Sequence, residues 1–91
     1  MSGERLTMMQ AEVLRIMRTH GAGENALPGT EISRLGGHVS YWAMSKLPAL
    51  AKKSLVARAG FAGREQCWWL LNQGRAALAR HDKGMGQEEG T

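Results

Sequence analysis

Ser40–Gly60 reads SYWAMSKLPALAKKSLVARAG. The spacing predicts a short amphipathic helix that passes, through a Lys-Lys-Ser break, straight into a β-strand. Met44, Leu47, Leu50 and Leu55 fall on the inward side. Tyr41, Trp42, Ser45, Lys46, Ala49, Lys52 and Lys53 fall on the outward side. An outer face of aromatics, hydroxyls and lysines, with no acid, has the chemistry a DNA major groove accepts. Pro48 is the irregularity, because an interior proline deletes a helical hydrogen bond and clashes with the preceding turn. Either the helix kinks between Met44 and Pro48, or a tighter helix starts near Ser45 and leaves Pro48 in its first turn.

The charge around this stretch is one-sided. The net charge is +4, and no acid occurs between Glu31 and Glu65, whereas Arg34, Lys46, Lys52, Lys53, Arg58 and Arg64 all lie there. Solvated surfaces ordinarily mix signs, so the bias points to a polyanionic partner. A chain of 91 residues makes one small domain with little room for a deep substrate pocket. It contains no apolar run near the ~20 residues a membrane span needs, and nothing at its start reads as a signal peptide. With a single cysteine, Cys67, it forms no internal disulfide, and a cytoplasmic protein is expected.

Upstream, residues 1–5 are expected to be a flexible arm. Leu6, Met9, Val13, Ile16 and Met17 recur at helical spacing, Thr7 is a plausible cap and Gly21 a plausible stop. A glycine-rich loop over 21–29 follows, with Leu27 able to form a one- or two-residue strand at its end. Thr30 is expected to cap a second helix, Glu31 to Leu35, which Gly36 and Gly37 terminate. Ser40 would cap the third. Two short helices around a glycine-containing turn form a helix-turn-helix pattern.

Downstream, Leu55 to Ala59 and Cys67 to Leu71 read as paired strands, joined by the connection 60–66. Alternation puts Cys67, Trp69 and Leu71 on one face and Trp68 and Leu70 on the other. Both faces are apolar, so one should cover the helices and the other should meet a partner. Asn72 is a good cap for a last helix to about His81. Residues 82–91, polar and glycine-rich, are expected to be a disordered tail, leaving 6–81 as the folded domain.

The order is mainly α with a small β-hairpin (α+β): helix, short strand, helix, helix, two-stranded hairpin, helix. That is the order of a winged helix-turn-helix domain. Three joins carry a closer likeness. LTMMQAEVL at 6–14 resembles an opening "LT, two residues, Q, then VL" helix; LAKKSLVAR at 50–58 resembles "LEKKGLVxR"; LNQGRAAL at 71–78 resembles "LTxxGRAAL". Together these resemble the DNA-binding core of the MarR-type transcriptional regulators. The pattern departs where Ser54 replaces the preferred glycine, Asn72 the preferred threonine, and Gly63-Arg64 the usual Asp-Arg pair of the wing tip. The family's long dimerising helices, which also build an effector pocket, have no counterpart in the sequence.

The resemblance implies double-stranded DNA as partner and a small transcriptional regulator as function. It puts Tyr41, Trp42, Ser45, Lys46 and Ala49 at base edges or phosphates, with Ser40 at the helix start. Lys52, Lys53, His38 and Arg34 would hold phosphates, and Arg64 would meet the backbone or a minor groove. Trp42 could instead cover the core. Trp68 and Leu70, or the outer face of the first helix, are candidate homodimer or protein-partner contacts. The alternative function is a winged helix reused as a protein-interaction module, as in phage or mobile-element accessory proteins. No catalytic residues, metal ligands or cofactor are expected: Cys67 lies in an apolar strand, and the three histidines lack metal-ligand spacing.

Overall fold

The computed structural model describes residues 6–90, with side chains placed as far as Lys83. Helix α1 spans Met8–Thr19. Thr7 closes a capping box: its hydroxyl accepts from the Gln10 amide, and the Gln10 side chain accepts from the Thr7 amide. His20 and Gly21, the latter at φ +76°, end the helix as expected. Its buried side is Ala11, Val13, Leu14 and Met17. Met9, expected on that side, is exposed instead, and Leu14 takes the inward position.

Strand β1, Leu27–Pro28, leads directly into α2, Gly29–Leu35. The helix therefore starts before Thr30, so Thr30 does not cap it, and the Pro28 ring has no acceptor to offer. A distant carboxylate serves instead: the Thr30 amide donates to Glu65 Oε2 at 3.0 Å. Gly36–His38 close the helix in a Schellman arrangement, with the His38 amide on the Ser33 carbonyl and the Gly37 amide on that of Arg34. Gly37 sits at φ +76°.

The stretch expected to be one third helix is two pieces. A 3-10 turn, Ala43–Ser45, precedes helix α3, Leu47–Lys52. Pro48 lies in the first turn of α3, where its missing N–H would have had no helical partner anyway. The chain thus starts a new helix rather than kinking a long one. Ser40 lies in the turn before the 3-10 segment and caps no helix. Ser54, at φ +62°, turns the chain from α3 into the sheet.

Strands β2, Val56–Ala62, and β3, Glu65–Leu70, form the wing and with β1 make an antiparallel sheet of order β1-β3-β2. Both strands run further than the sequence suggested, so the connection shrinks from 60–66 to Gly63-Arg64, with Gly63 at φ +66°. β3 is the middle strand, and away from the wing tip one of its faces packs into the helical core. That face carries Trp68 and Leu70, at 1% and 4% exposure, with Val56 beside them on β2. Trp68 and Leu70 are therefore core residues, and the expectation that they meet a partner is overturned.

Helix α4, Asn72–Gly90, returns across α1 and buries Ala77 and Leu78. Gly74 lets it approach the start of the wing so closely that a Cβ there would come within 2.3 Å of the Leu55 carbonyl oxygen. The helix does not stop near His81 but continues through the stretch read as a disordered tail. Asp82 explains part of this, since its carboxylate pairs with Arg15 of α1 and ties the helix down one turn past Leu78. The expected arm, 1–5, lies outside the described residues. No helix among the described residues is long and apolar enough to cross a membrane.

Candidate nucleic-acid interface

The segment from His38 to Ser54 is held from beneath by two buried contacts. Ser33, fully buried in α2, donates to the Gly29 carbonyl at 2.9 Å and accepts from the Ala43 amide at 2.9 Å. One hydroxyl thus couples α2 to the first residue of the 3-10 turn and satisfies an amide that has no helical partner. Below it, Ile32, Ala43, Leu47 and Leu50 join α1 and the sheet in one core. Sequence reasoning missed Ser33. A small polar residue two positions before a helix end carries no periodic signal.

Trp42 belongs to this core too. It is only 9% exposed and packs among the buried residues rather than standing outward. The cause is the broken helix: the 3-10 turn rotates positions 42 and 43 inward relative to the straight helix that the spacing suggested. Its rim does shape the surface. His38 stacks on Trp42 with ring centroids 3.7 Å apart, and the Lys46 ammonium sits 5.3 Å from the same ring. His38 also reaches Glu12 of α1, Nε2 to Oε2 at 2.8 Å. His38 is thereby an internal strut between α1 and the turn.

What faces solvent is a strip along the segment: Tyr41 at 71% exposure, then Ser40, Ser45, Ala49 and Lys52. Ser45 accepts a hydrogen bond from Lys46 Nζ at 3.1 Å and donates to the Trp42 carbonyl at 2.7 Å. Lys46 and Lys53 are half-buried at its flank. Arg64 is exposed at the wing tip, with Phe61 beside it at 69% exposure. Arg34 is exposed but pairs with Glu31 one helical turn away, Nε to Oε1 at 3.1 Å. That hydrogen bond, together with the guanidinium charge, holds the Glu31 carboxyl below the usual carboxylate range.

Among the described residues, the acids that border the strip are each turned onto a donor of the protein itself: Glu31 onto Arg34, Glu12 onto His38, and Glu65 onto the Thr30 amide. Residues 32–64 contain no other carboxylate. The exposed strip therefore carries only positive charge, from Lys46, Lys52 and Lys53 toward its end. Among the described residues, no group of three or more His, Cys, Asp or Glu side chains could hold a metal ion. Cys67 is buried and unpaired. The outer side of α1 offers an open cleft of about 480 Å³, lined by Met8, Met9, Glu12, Arg15, Ile16 and the end of α2.

No protein-family model matches the sequence, and no curated protein matches it. Solved structures do match. The transcriptional repressor CouR, bound to a 23-mer DNA duplex, superimposes at TM-score 0.70 with 28% identity over 88% of this chain and 55% of its own. MepR, a transcription regulator of the Staphylococcus aureus multidrug efflux pump MepA, does so at TM-score 0.73 with 19% identity over 92% of this chain and 61% of its own. A MarR-family regulator from Silicibacter pomeroyi gives TM-score 0.72 with 20% identity, covering 92% of this chain and 55% of its own. The chain thus spans between about half and three fifths of the length of these structures. Its fold is that of their shared winged helix-turn-helix core.

Proposed function

We propose that this protein binds double-stranded DNA as a small winged-helix transcriptional regulator. The observation that carries the reading is the acid-free, positively charged strip along 40–53 and the wing tip, whose bordering carboxylates are all engaged within the protein. The solved structures of the same fold are transcription regulators, one of them on a DNA duplex, which supports it. In this reading Tyr41, Ser45 and Ala49 meet base edges, and Ser40, Lys46, Lys52 and Lys53 grip phosphates, with Arg64 on the backbone beside the wing. Arg34 contributes less than its exposure suggests, because Glu31 already neutralises it. His38 and Trp42 act from behind, by fixing where Lys46 stands.

The test is duplex affinity as a function of salt. Phosphate contacts release condensed counterions, so log K should fall against log salt by about 0.9 for each contact. Lys46→Glu and Lys52→Glu should each weaken binding and flatten that slope, with unchanged circular dichroism. A flat salt response, or full affinity in the double variant, would sink the proposal.

A second reading, a protein-interaction module, is favoured by one observation: Met8 and Met9 stand exposed at 71% and 44% beside the cleft on α1. A stoichiometric protein partner retained through nuclease treatment, and lost on Met8→Glu, would support it. The same face is where a homodimer would form, which sedimentation of the Met8→Glu variant would reveal as a concentration-independent monomer.

A further inference from the structure

The wing contains a bulge that re-aims one large apolar side chain. Arg58 stands opposite Trp68, and Phe61 opposite Gln66. Between those two rungs β3 advances two residues while β2 advances three, so β2 holds one extra residue at Ala59-Gly60. Strict alternation from Val56 and Arg58 would have put Phe61 on the far face. The insertion flips the parity and returns Phe61 to the face of Trp68 and Leu70, beyond the point where helices cover it. The bulge is held open by chemistry: Gly60 takes φ +99°, and Gln66 Nε2 donates to the Gly60 carbonyl at 2.9 Å and the Cys67 carbonyl at 3.1 Å.

The result is a phenyl ring 69% exposed on a two-stranded tip. Its surroundings say what it is for. Arg64 lies at the adjoining turn, the Arg58 guanidinium lies 5.1 Å from the Trp68 ring on the same face, and Glu65 is occupied at the Thr30 amide. An apolar ring flanked by cations, with no free carboxylate near it among the described residues, complements the sugar and base edges between two phosphate rows. It does not complement a basic or purely apolar peptide, because the flanking arginines would repel the one and stay unpaired against the other.

We infer that Phe61 is a wedge that enters the minor groove and partly unstacks one base step, with Arg64 anchoring the adjacent phosphate. This rests on the duplex-binding reading above. It assigns the wing a deforming role, beyond backbone contact, and favours A·T-rich sites where the groove lacks the guanine amino group.

The experiment uses the full chain and an alternating dA·dT duplex with 2-aminopurine replacing a central adenine, at low salt. Binding is followed separately by the anisotropy of an end label. The 2-aminopurine emission, quenched by stacking, should rise severalfold at saturation. Phe61→Ala should still bind with the same salt slope but lose that rise, and Phe61→Leu should restore it. Saturable binding with no rise, or a rise retained in Phe61→Ala, overturns the wedge while leaving duplex binding intact. If the wild-type chain fails to bind the duplex at all, the duplex-binding reading falls with it.

Discussion

Two neighbouring aromatics show how much depends on a single position. Tyr41 is exposed and Trp42 is buried, although both begin the same basic segment. Trp42→Ala removes a large side chain from a closed core and should cost about 3–5 kcal/mol in urea unfolding. Tyr41→Ala should stay within about 0.5 kcal/mol of wild type while weakening duplex binding. If instead Tyr41→Ala unfolded the protein and Trp42→Ala did not, the inward rotation of the 3-10 turn would be wrong. Ser33→Ala is the matching polar case. It strands the buried Ala43 amide and should cost about 1–3 kcal/mol by the same measurement.

At the scale of elements, the joins decide most of the stability. Ser54 holds φ +62°, a conformation that costs a non-glycine residue about 1–2 kcal/mol, partly offset by the unfolded-state entropy a glycine would add. Ser54→Gly should therefore stabilise the fold by about 0.5–1 kcal/mol; a lower melting temperature would show that the Ser54 side chain makes a compensating contact. Gly74→Ala should act oppositely, by about 1–3 kcal/mol, because the new methyl meets the Leu55 carbonyl, which is backbone and cannot swing away. Such joins are what made the fold legible beforehand. Thr7, Gly21, Gly36-Gly37 and the Ser54 turn are local signals, written within a few residues of where they act.

Trp42 was misplaced by a local break, the 3-10 turn before Pro48, but other misjudged positions needed information from far along the chain. Trp68 and Leu70 looked like a partner-facing pair because nothing in their own alternation shows which face of β3 the helices cover. Thr30 looked like a cap because Glu65, thirty-five residues away, is the group that does the work. Asp82, just past His81, is tied to Arg15 of another helix by an ion pair.

For the molecule as a whole, the distribution of charge matters more than its sum. A net +4 is modest, but the carboxylates nearest the strip are engaged elsewhere, which leaves a one-signed surface spanning the turn, α3 and the wing tip. With Lys46, Lys52, Lys53 and Arg64 on phosphates, the salt slope should be about −3.6, which calorimetry across a salt series would give. The most direct measurement of the central claim is a titration of the isotopically labelled protein with duplex DNA at low salt, followed by amide NMR. Shifts should concentrate in residues 38–64 and leave the outer side of α1, around Met8 and Met9, unchanged. Silence across 38–64, or shifts confined to α1, would contradict the claim that this strip is a DNA-binding surface.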